Sequence, residues 1–438
     1  MKPASLATSF SPTVLPSSTR AALAREEPAA LLHCSQELFP YLRAVPDPRG
    51  RQGRRYDLAG LLAVCLVGFC TGCQGYLSVA RWARALPPEL LHAFGLTRGR
   101  TPCAATWLNL FRMLDWERVA DQFHAWAEAT CQPQPASPAA TAVAAKEVAV
   151  AAKAPAPPVA EPQWQGIAID GKTLRGSLAV GAETAHVVSV VAHGSGVSLR
   201  EVGVAQKEGE LTVAPALLAA VLAPGRVVTG DALFTQRNLC RQIRAAGSHY
   251  VLVVKENQPT LRAAVAACLG PVTKREAQAQ TRRAAWVLNE GHGRVEDRFL
   301  LLAAPEEPVD WPGVAQVFRL ERRRYHPARA GKPAHESREV VYGITSLAVD
   351  EAGPETVLRL QRGHWSIEVQ VHYILDTFFR EDERRVRDGK VARGVAALRR
   401  GALNLLRRLG RRSIPEAADR IKADPTLLCP LIGGTQEN

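Results

Sequence analysis

The stretch Ile167-Ala168-Ile169-Asp170-Gly171-Lys172-Thr173-Leu174-Arg175-Gly176-Ser177 is a short apolar run that ends on an aspartate and meets glycine, two cations and two hydroxyls. By itself it reads as a strand followed by a turn, because Asp and Gly are ordinary turn residues. A counterpart occurs further on, where Val227-Val228-Thr229-Gly230-Asp231-Ala232 is a second β-branched run ending on an aspartate. Two strand-terminal aspartates can be neighbours in one sheet whatever their separation in sequence, and both carboxylates then border one site.

Working outward from these runs, the region after Trp164 is rich in short β-forming segments: GIAID, AHVVSVVAH, GVSLREVGVA, GRVVTGDALF and HYVLVVK. Helical candidates lie between them, at Thr212 to Leu222 and Gln236 to Ala246. Such alternation predicts an α/β layer structure. From about 282 to 345 the pieces RFLLLAA, VAQVFRLERRRY and REVVYGIT, with a basic cluster Arg322-Arg323-Arg324, predict a mostly β insertion.

The flanking regions differ in composition. Residues 31–131 predict a small all-α unit, with Leu108, Phe111, Leu114, Val119 and Phe123 at roughly helical spacing. Residues 132–163 are almost entirely Ala, Pro, Val and Lys with no aromatic to build a core, and read as a linker. Residues 1–30 and 413–438 read as tails, leaving 164–412 as the main domain.

With 438 residues and a hydrophobic fraction of 47%, the chain has the material for more than one core and is not globally disordered. Its net charge of +13 favours an extended polyanion, nucleic acid first, as partner. Nine scattered cysteines, an odd number, argue against a secreted disulfide framework and for a reducing compartment. The pair Cys70 and Cys73 has no second pair to complete a zinc site and falls in an apolar stretch that reads as a core helix. That stretch is too short for the roughly 20 residues of a membrane span.

A third acid stands in RGHWSIEVQVHYILDTFF. There Ile367, Val371, Ile374 and Phe378 define a buried helix face, and Glu368 lies beside it. Three converging carboxylates repel unless a cation joins them. Mg2+ and Mn2+ prefer carboxylate oxygens, and a pair of such ions can assist in-line displacement at phosphorus. A rival zinc reading uses His364, Glu368 and His372 at i, i+4 and i+8, although the HExxH pattern of zinc hydrolases is absent. Lys255, Asn257 and Gln258 offer a cation and two amides to phosphate or a flanking base, or simply form a strand-to-helix turn.

Taken together, Pro46-Asp47-Pro48-Arg49, AIDGKTLRGS, VVTGDALFTQ, YVLVVKENQPTL, EGHGRVEDR, RGHWSIEVQVHYILDTFFRED and LRRGALNLLR are similar to the ISAs1 family of insertion-sequence transposases, also called H-repeat-associated proteins, within the DDE transposases of RNase H-like fold. The resemblance runs from about Leu38 to Arg408. It implies an RNase H-like catalytic domain, a mixed sheet flanked by helices, carrying a β-rich insertion. It also implies Asp170, Asp231 and Glu368 as the metal-binding triad, holding two Mg2+ or Mn2+ ions.

The DNA contacts expected on this basis are Lys172, Arg175, Lys255, Asn257, Gln258, His292, Arg294, His364, Trp365, Arg384 and Arg387. The implied activity is cleavage at the element ends followed by transfer of the 3′ hydroxyl into target DNA. By the same analogy the protein would act as a homodimer on double-stranded DNA in the cytoplasm of a prokaryotic cell, associated with the nucleoid and without a membrane. Two departures stand out: the family's Lys-Ser-Asn-Glu-Ile segment is here Lys207-Glu208-Gly209-Glu210-Leu211, and the Asn that often follows the third acid is Val369. The alternative functions are a domesticated or decayed DNA-binding protein without chemistry, and a metal-dependent nuclease that does not join ends.

Overall fold

The computed structural model describes residues 38–130, 164–174, 186–204, 209–270, 284–291, 294–328, 333–383, 386, 388–408 and 413–424. The expected tail at 1–30 and linker at 132–163 lie outside them, as do Arg175, His292, Arg384 and Arg387. The chain divides into two compact units, residues 1–109 with 408–438 and residues 110–407.

In the first unit, helix α1 (Leu58–Cys70) is buried along its whole length, as its uninterrupted apolar sequence requires, and Asp57 caps its start by accepting from Gly60 N. Cys65, Cys70 and Cys73 are buried free thiols, and burial pushes all three thiol pKa values up. They pack as small apolar groups. Helices α2 (Tyr76–Arg84) and α3 (Pro88–Ala93) follow. Ahead of them Arg49 is clamped by Asp47, with Nε–Oδ1 and Nη2–Oδ2 both at 2.8 Å, and Nη2 also donates to Tyr56 O. The Pro-Asp-Pro-Arg motif is thus an internal brace of this unit.

Helix α4 (Ala104–Met113) carries the chain into the second unit, and α5 (Trp116–Thr130) belongs to that unit. The division between compact units thus falls inside the helical span expected to run to 131. Helix α5 packs against the sheet, and Glu128 pairs with Arg226 at 3.0 Å. The Ala/Pro composition that marks the linker says nothing about which core the preceding helix joins.

The second unit is built on one nine-stranded sheet in the order β3-β2-β1-β4-β5-β9-β8-β7-β6. The strands are β1 (Gln165–Thr173), β2 (His186–Ala192), β3 (Ser198–Val204), β4 (Arg226–Gly230), β5 (His249–Val254), β6 (Ala284–Gly291), β7 (Arg294–Ala303), β8 (Gln316–His326) and β9 (His335–Thr345). β1, β4 and β5 run parallel, and their apolar residues are buried on both faces as a covered parallel core demands. β2 and β3 form an antiparallel meander on one side.

The expected β insertion continues this sheet: β9 pairs antiparallel with β5, and β8, β7 and β6 follow outward. Strand β6 was not among the expected ones. Two of its large side chains, Trp286 and Leu288, are exposed, so it lacks a clear apolar face.

Helices α6 (Glu210–Ala219), α7 (Arg237–Ala245) and α8 (Pro259–Leu269) connect the core strands. Helix α9 (Pro354–His364) packs on β1, β4, β5, β6 and β7. It runs into a π-helical turn, Ile367–His372, and then α10 (Tyr373–Thr377). Helix α11 (Gly389–Arg408) follows. The stretch from 413, expected as a tail, contains α12 (Ile414–Ala423), capped by Ser413 accepting from Glu416 N, and Lys422 of this helix lies against Gly72 in the first unit.

The π turn alters one expectation about packing. The buried residues are Ile367, Val371, Leu375 and Phe379, whereas Ile374 and Phe378 are only partly buried. One residue is added to the turn, so every position beyond it is displaced relative to an α-helical stripe.

Candidate active site

Asp170 sits on β1 directly after three buried residues, Ile167 to Ile169, and Gly171 N donates to its Oδ1 at 2.9 Å. Ile169 pairs with Gly230, the last residue of β4. Asp231 therefore follows at the next step of the neighbouring parallel strand. It is exposed and caps a short 3-10 turn, Ala232–Phe234, its Oδ1 accepting from Leu233 N at 2.9 Å.

Glu368 comes from the π turn. Its Oε2 is 3.0 Å from Nδ1 of His372, four residues on. One ligand atom from each of Asp170, Glu368 and His372 falls within 4.8 Å of the others.

Burial pushes the Asp170 carboxyl up to about 6, with the Asp231 and Glu210 charges adding to the rise and His372 and the Gly171 N–H opposing it. Glu368 moves the other way, its carboxyl lowered chiefly by the hydrogen bond from His372. At neutral pH both are anions, and they need a cation between them. His372 is 4% exposed, and its Nε2 has no hydrogen-bond partner. Two carboxylates and a buried, unsatisfied imidazole nitrogen fit a divalent metal ion.

A second group of side chains stands behind the acids. Thr229 Oγ1 lies 2.9 Å from His193 Nε2 and 3.4 Å from His364 Nδ1, linking two imidazoles. Burial lowers the His193 pKa to about 3 and the His364 pKa to about 4, so both rings are neutral. Gly363 makes room for the first: a Cβ there would stand 2.2 Å from His193 Nδ1. Beside Asp170, His186 Nε2 is 2.6 Å from Glu210 Oε1, and a Cβ on Gly171 would come within 2.6 Å of both side chains. The Asp-Gly pair, expected to open a turn, instead lies within β1, which runs on to Thr173, and the glycine is set by this close approach.

The residues expected on DNA are distributed unevenly. Lys172 is corrected: it is 8% exposed, and its ammonium pairs with Asp376 and, at 3.2 Å, with Glu381. Glu381 is in turn bound by Arg400 at 2.9 Å, so Lys172 belongs to an internal ion network. His364 is also drawn inward, toward Thr229, and is not in the cluster of ligand atoms, which goes against the rival zinc reading. Asn257 donates to Ala232 O at 2.7 Å and Gln258 to Thr235 O at 3.2 Å. Both amides brace the turn that Asp231 caps.

Lys255 and Arg294 are exposed. Trp365 is 51% exposed, with the Arg322 guanidinium 5.1 Å from its ring centre. Sequence reasoning placed His372 in the rival zinc set with His364 and Glu368, and gave no role to Glu210, His193 or Thr229. Only the spacing of Glu368 and His372, one helical turn apart, signalled any of them.

Among the described residues, no helix is long and apolar enough to cross a membrane. The model of the transposase DDE domain matches residues 162–405, and that of its associated domain, described as DDE_Tnp_1-associated, matches 39–127. YncI of Escherichia coli O157:H7, assigned by name to the transposases, is 30% identical over 249 residues, 55% of this chain and 61% of that protein. YhhI of Escherichia coli (strain K12), named as H repeat-associated and likewise assigned to the transposases, is 27% identical over 247 residues, 55% of this chain and 63% of its own length.

The matched regions thus span about three fifths of these relatives. An uncharacterized Xanthobacter autotrophicus protein is 26% identical over 291 residues, 65% of this chain and 88% of its own. A piggyBac transposase synaptic complex with hairpin DNA superposes over 94% of this chain and 84% of its own, at 9% identity and a TM-score of 0.42, too loose to carry an argument. With the DDE domain model matching more than half of its residues, the chain belongs to the DDE transposase family.

Proposed function

We propose that this protein is a metal-dependent DNA transposase that cuts at the ends of an insertion sequence and joins the resulting 3′ hydroxyl to target DNA. The observation that carries this reading is the convergence of Asp170 and Glu368 beside Asp231, from two neighbouring strands and a helix distant in sequence. An RNase H-like core is supported by the order β3-β2-β1-β4-β5, with β2 antiparallel to β1, Asp170 within β1 and Asp231 just past β4. The resemblance to ISAs1 transposases is consistent with the family found.

In this reading Asp170, Asp231 and Glu368 hold Mg2+ or Mn2+, two ions at full occupancy. Bound there, divalent ions supply Lewis-acid stabilisation of both the attacking and the leaving oxygen. The protein's own groups prepare the site. His372 keeps Glu368 ionised. Asn257 and Gln258 hold the turn that presents Asp231. Lys255 and Arg294 remain exposed for phosphates of double-stranded DNA, in a chain of net charge +13. Joining requires two element ends to be held together, so the active form is a homodimer on DNA.

The experiment is cleavage and strand transfer on a labelled fragment carrying the element terminus, in Mg2+ or Mn2+. Asp170→Ala, Asp231→Ala and Glu368→Ala are each expected to abolish chemistry while leaving DNA binding. A wild type that binds the terminus and never cuts it means a DNA-binding protein without chemistry, and cutting without joining means a nuclease.

A further inference from the structure

The acids account for the charge of the site, but not for His372. This imidazole is 4% exposed, and the π turn that carries Glu368 also carries it. One of its nitrogens is engaged, Nδ1 at 3.0 Å from Glu368 Oε2, and the other, Nε2, has no partner. Leaving a buried polar atom unsatisfied costs stability. In the tautomer that keeps its proton on Nε2, the Nδ1 lone pair faces Glu368, and 3.0 Å between Nδ1 and Oε2 is a separation that two neighbouring ligands of one ion can take.

The surroundings agree with that assignment. His364, the other imidazole of the same stretch, is turned toward Thr229 on β4 and is not among the clustered ligand atoms. The cluster consists of Asp170, Glu368 and His372. The lone lysine beside the site, Lys172, already has Asp376 and Glu381 as partners.

We propose that His372 is a direct nitrogen ligand of the divalent ion held by Asp170 and Glu368, which makes this centre a two-carboxylate, one-imidazole site selective for Mn2+ over Mg2+. This rests on the metal-dependent reading above. Mg2+ demands oxygen ligands in near-ideal octahedral geometry, whereas an imidazole suits the transition metals. A single nitrogen donor therefore raises affinity for Mn2+ without a matching gain for Mg2+.

The test is Mn2+ binding to the full chain without DNA, followed by electron paramagnetic resonance with spin-echo detection of nitrogen. Wild type is expected to show the hyperfine modulation of a directly bound imidazole. In His372→Gln that modulation disappears and Mn2+ binds roughly 10–100-fold more weakly, while Mg2+, measured by competition, loses far less. Asp170→Asn serves as the control for the site itself.

Mn2+ that is displaced by Asp170→Asn yet shows no nitrogen coupling in wild type overturns the ligand assignment and leaves the metal reading intact. Absence of any Asp170-dependent Mn2+ binding overturns the metal reading beneath it. Should His372→Gln fail to fold, the wild-type spectrum together with His364→Gln decides. Retained coupling in His364→Gln supports His372, and lost coupling transfers the role to His364 and overturns the proposal.

Discussion

Asp170 and Asp231 extend two neighbouring parallel strands one residue past the same register pair, Ile169 with Gly230. Burial above all, with the Asp231 charge adding to it, raises the Asp170 carboxyl from 3.8 to about 6. In the metal-free protein the folded state keeps a proton through this window that the unfolded chain has released. Stability therefore falls as pH rises through it, by roughly 3 kcal/mol in all. Asp170→Asn should be more stable than wild type above the window, and divalent ions should raise the stability of wild type alone. Urea unfolding in chelator across that pH range checks both; equal curves for the two proteins would remove the electrostatic account.

Lys172 offers a test that separates structure from DNA contact. Its removal as Lys172→Met takes the cation from Asp376 while Glu381 keeps Arg400, an expected loss of about 1–3 kcal/mol. The salt dependence of DNA binding should stay as in wild type at a temperature where the variant is folded. A phosphate contact would instead reduce the log–log slope by about 1. Denaturation and salt titration together decide between the two roles.

Thr229 joins His193 and His364, and Thr229→Val should cost about 1–3 kcal/mol through the bonds it leaves unmade. Both imidazoles have folded pKa values lowered from 6.5, to about 3 and about 4. The unfolded chain takes up protons there that the folded protein refuses, so stability is lost as pH falls below 6.5 toward those values. Imidazole resonances from the two residues should stay in the neutral position while exposed histidines titrate. A normal titration of either one refutes the burial argument.

Asn257 ties the end of β5 to the turn after Asp231. Asn257→Ala should lower the cleavage rate with little change in DNA affinity and cost about 0.5–1.5 kcal/mol of stability. If affinity falls in step with rate instead, the amide contacts DNA directly.

Much of this unit is legible in the chain. The core strands follow from runs such as Val227 to Gly230 and His249 to Val254, whose β-branched and aromatic side chains suit a covered sheet. Strand β6 escaped because Trp286 and Leu288 face solvent and leave no alternation to read. The stripe was legible through Ile367 and Val371 and not beyond the π turn that holds them, since periodicity carries no sign of an inserted residue. Lys172 was misplaced for another reason: its partners, Asp376 and Glu381, lie some two hundred residues away.

By itself the sequence determined the elements, the presence of three acids at or beside their ends, and a basic balance suited to a polyanion. Local propensity and patterning act over a few residues, and these features are local. Tertiary structure alone decided that Asp170 meets Glu368 and His372, that Lys172 turns inward, and that the insertion extends the core sheet through β9. Each of those depends on which distant segments share a register or a buried volume. Burial and the fields of neighbouring charges then separate chemically equal groups, raising Asp170 while lowering Glu368.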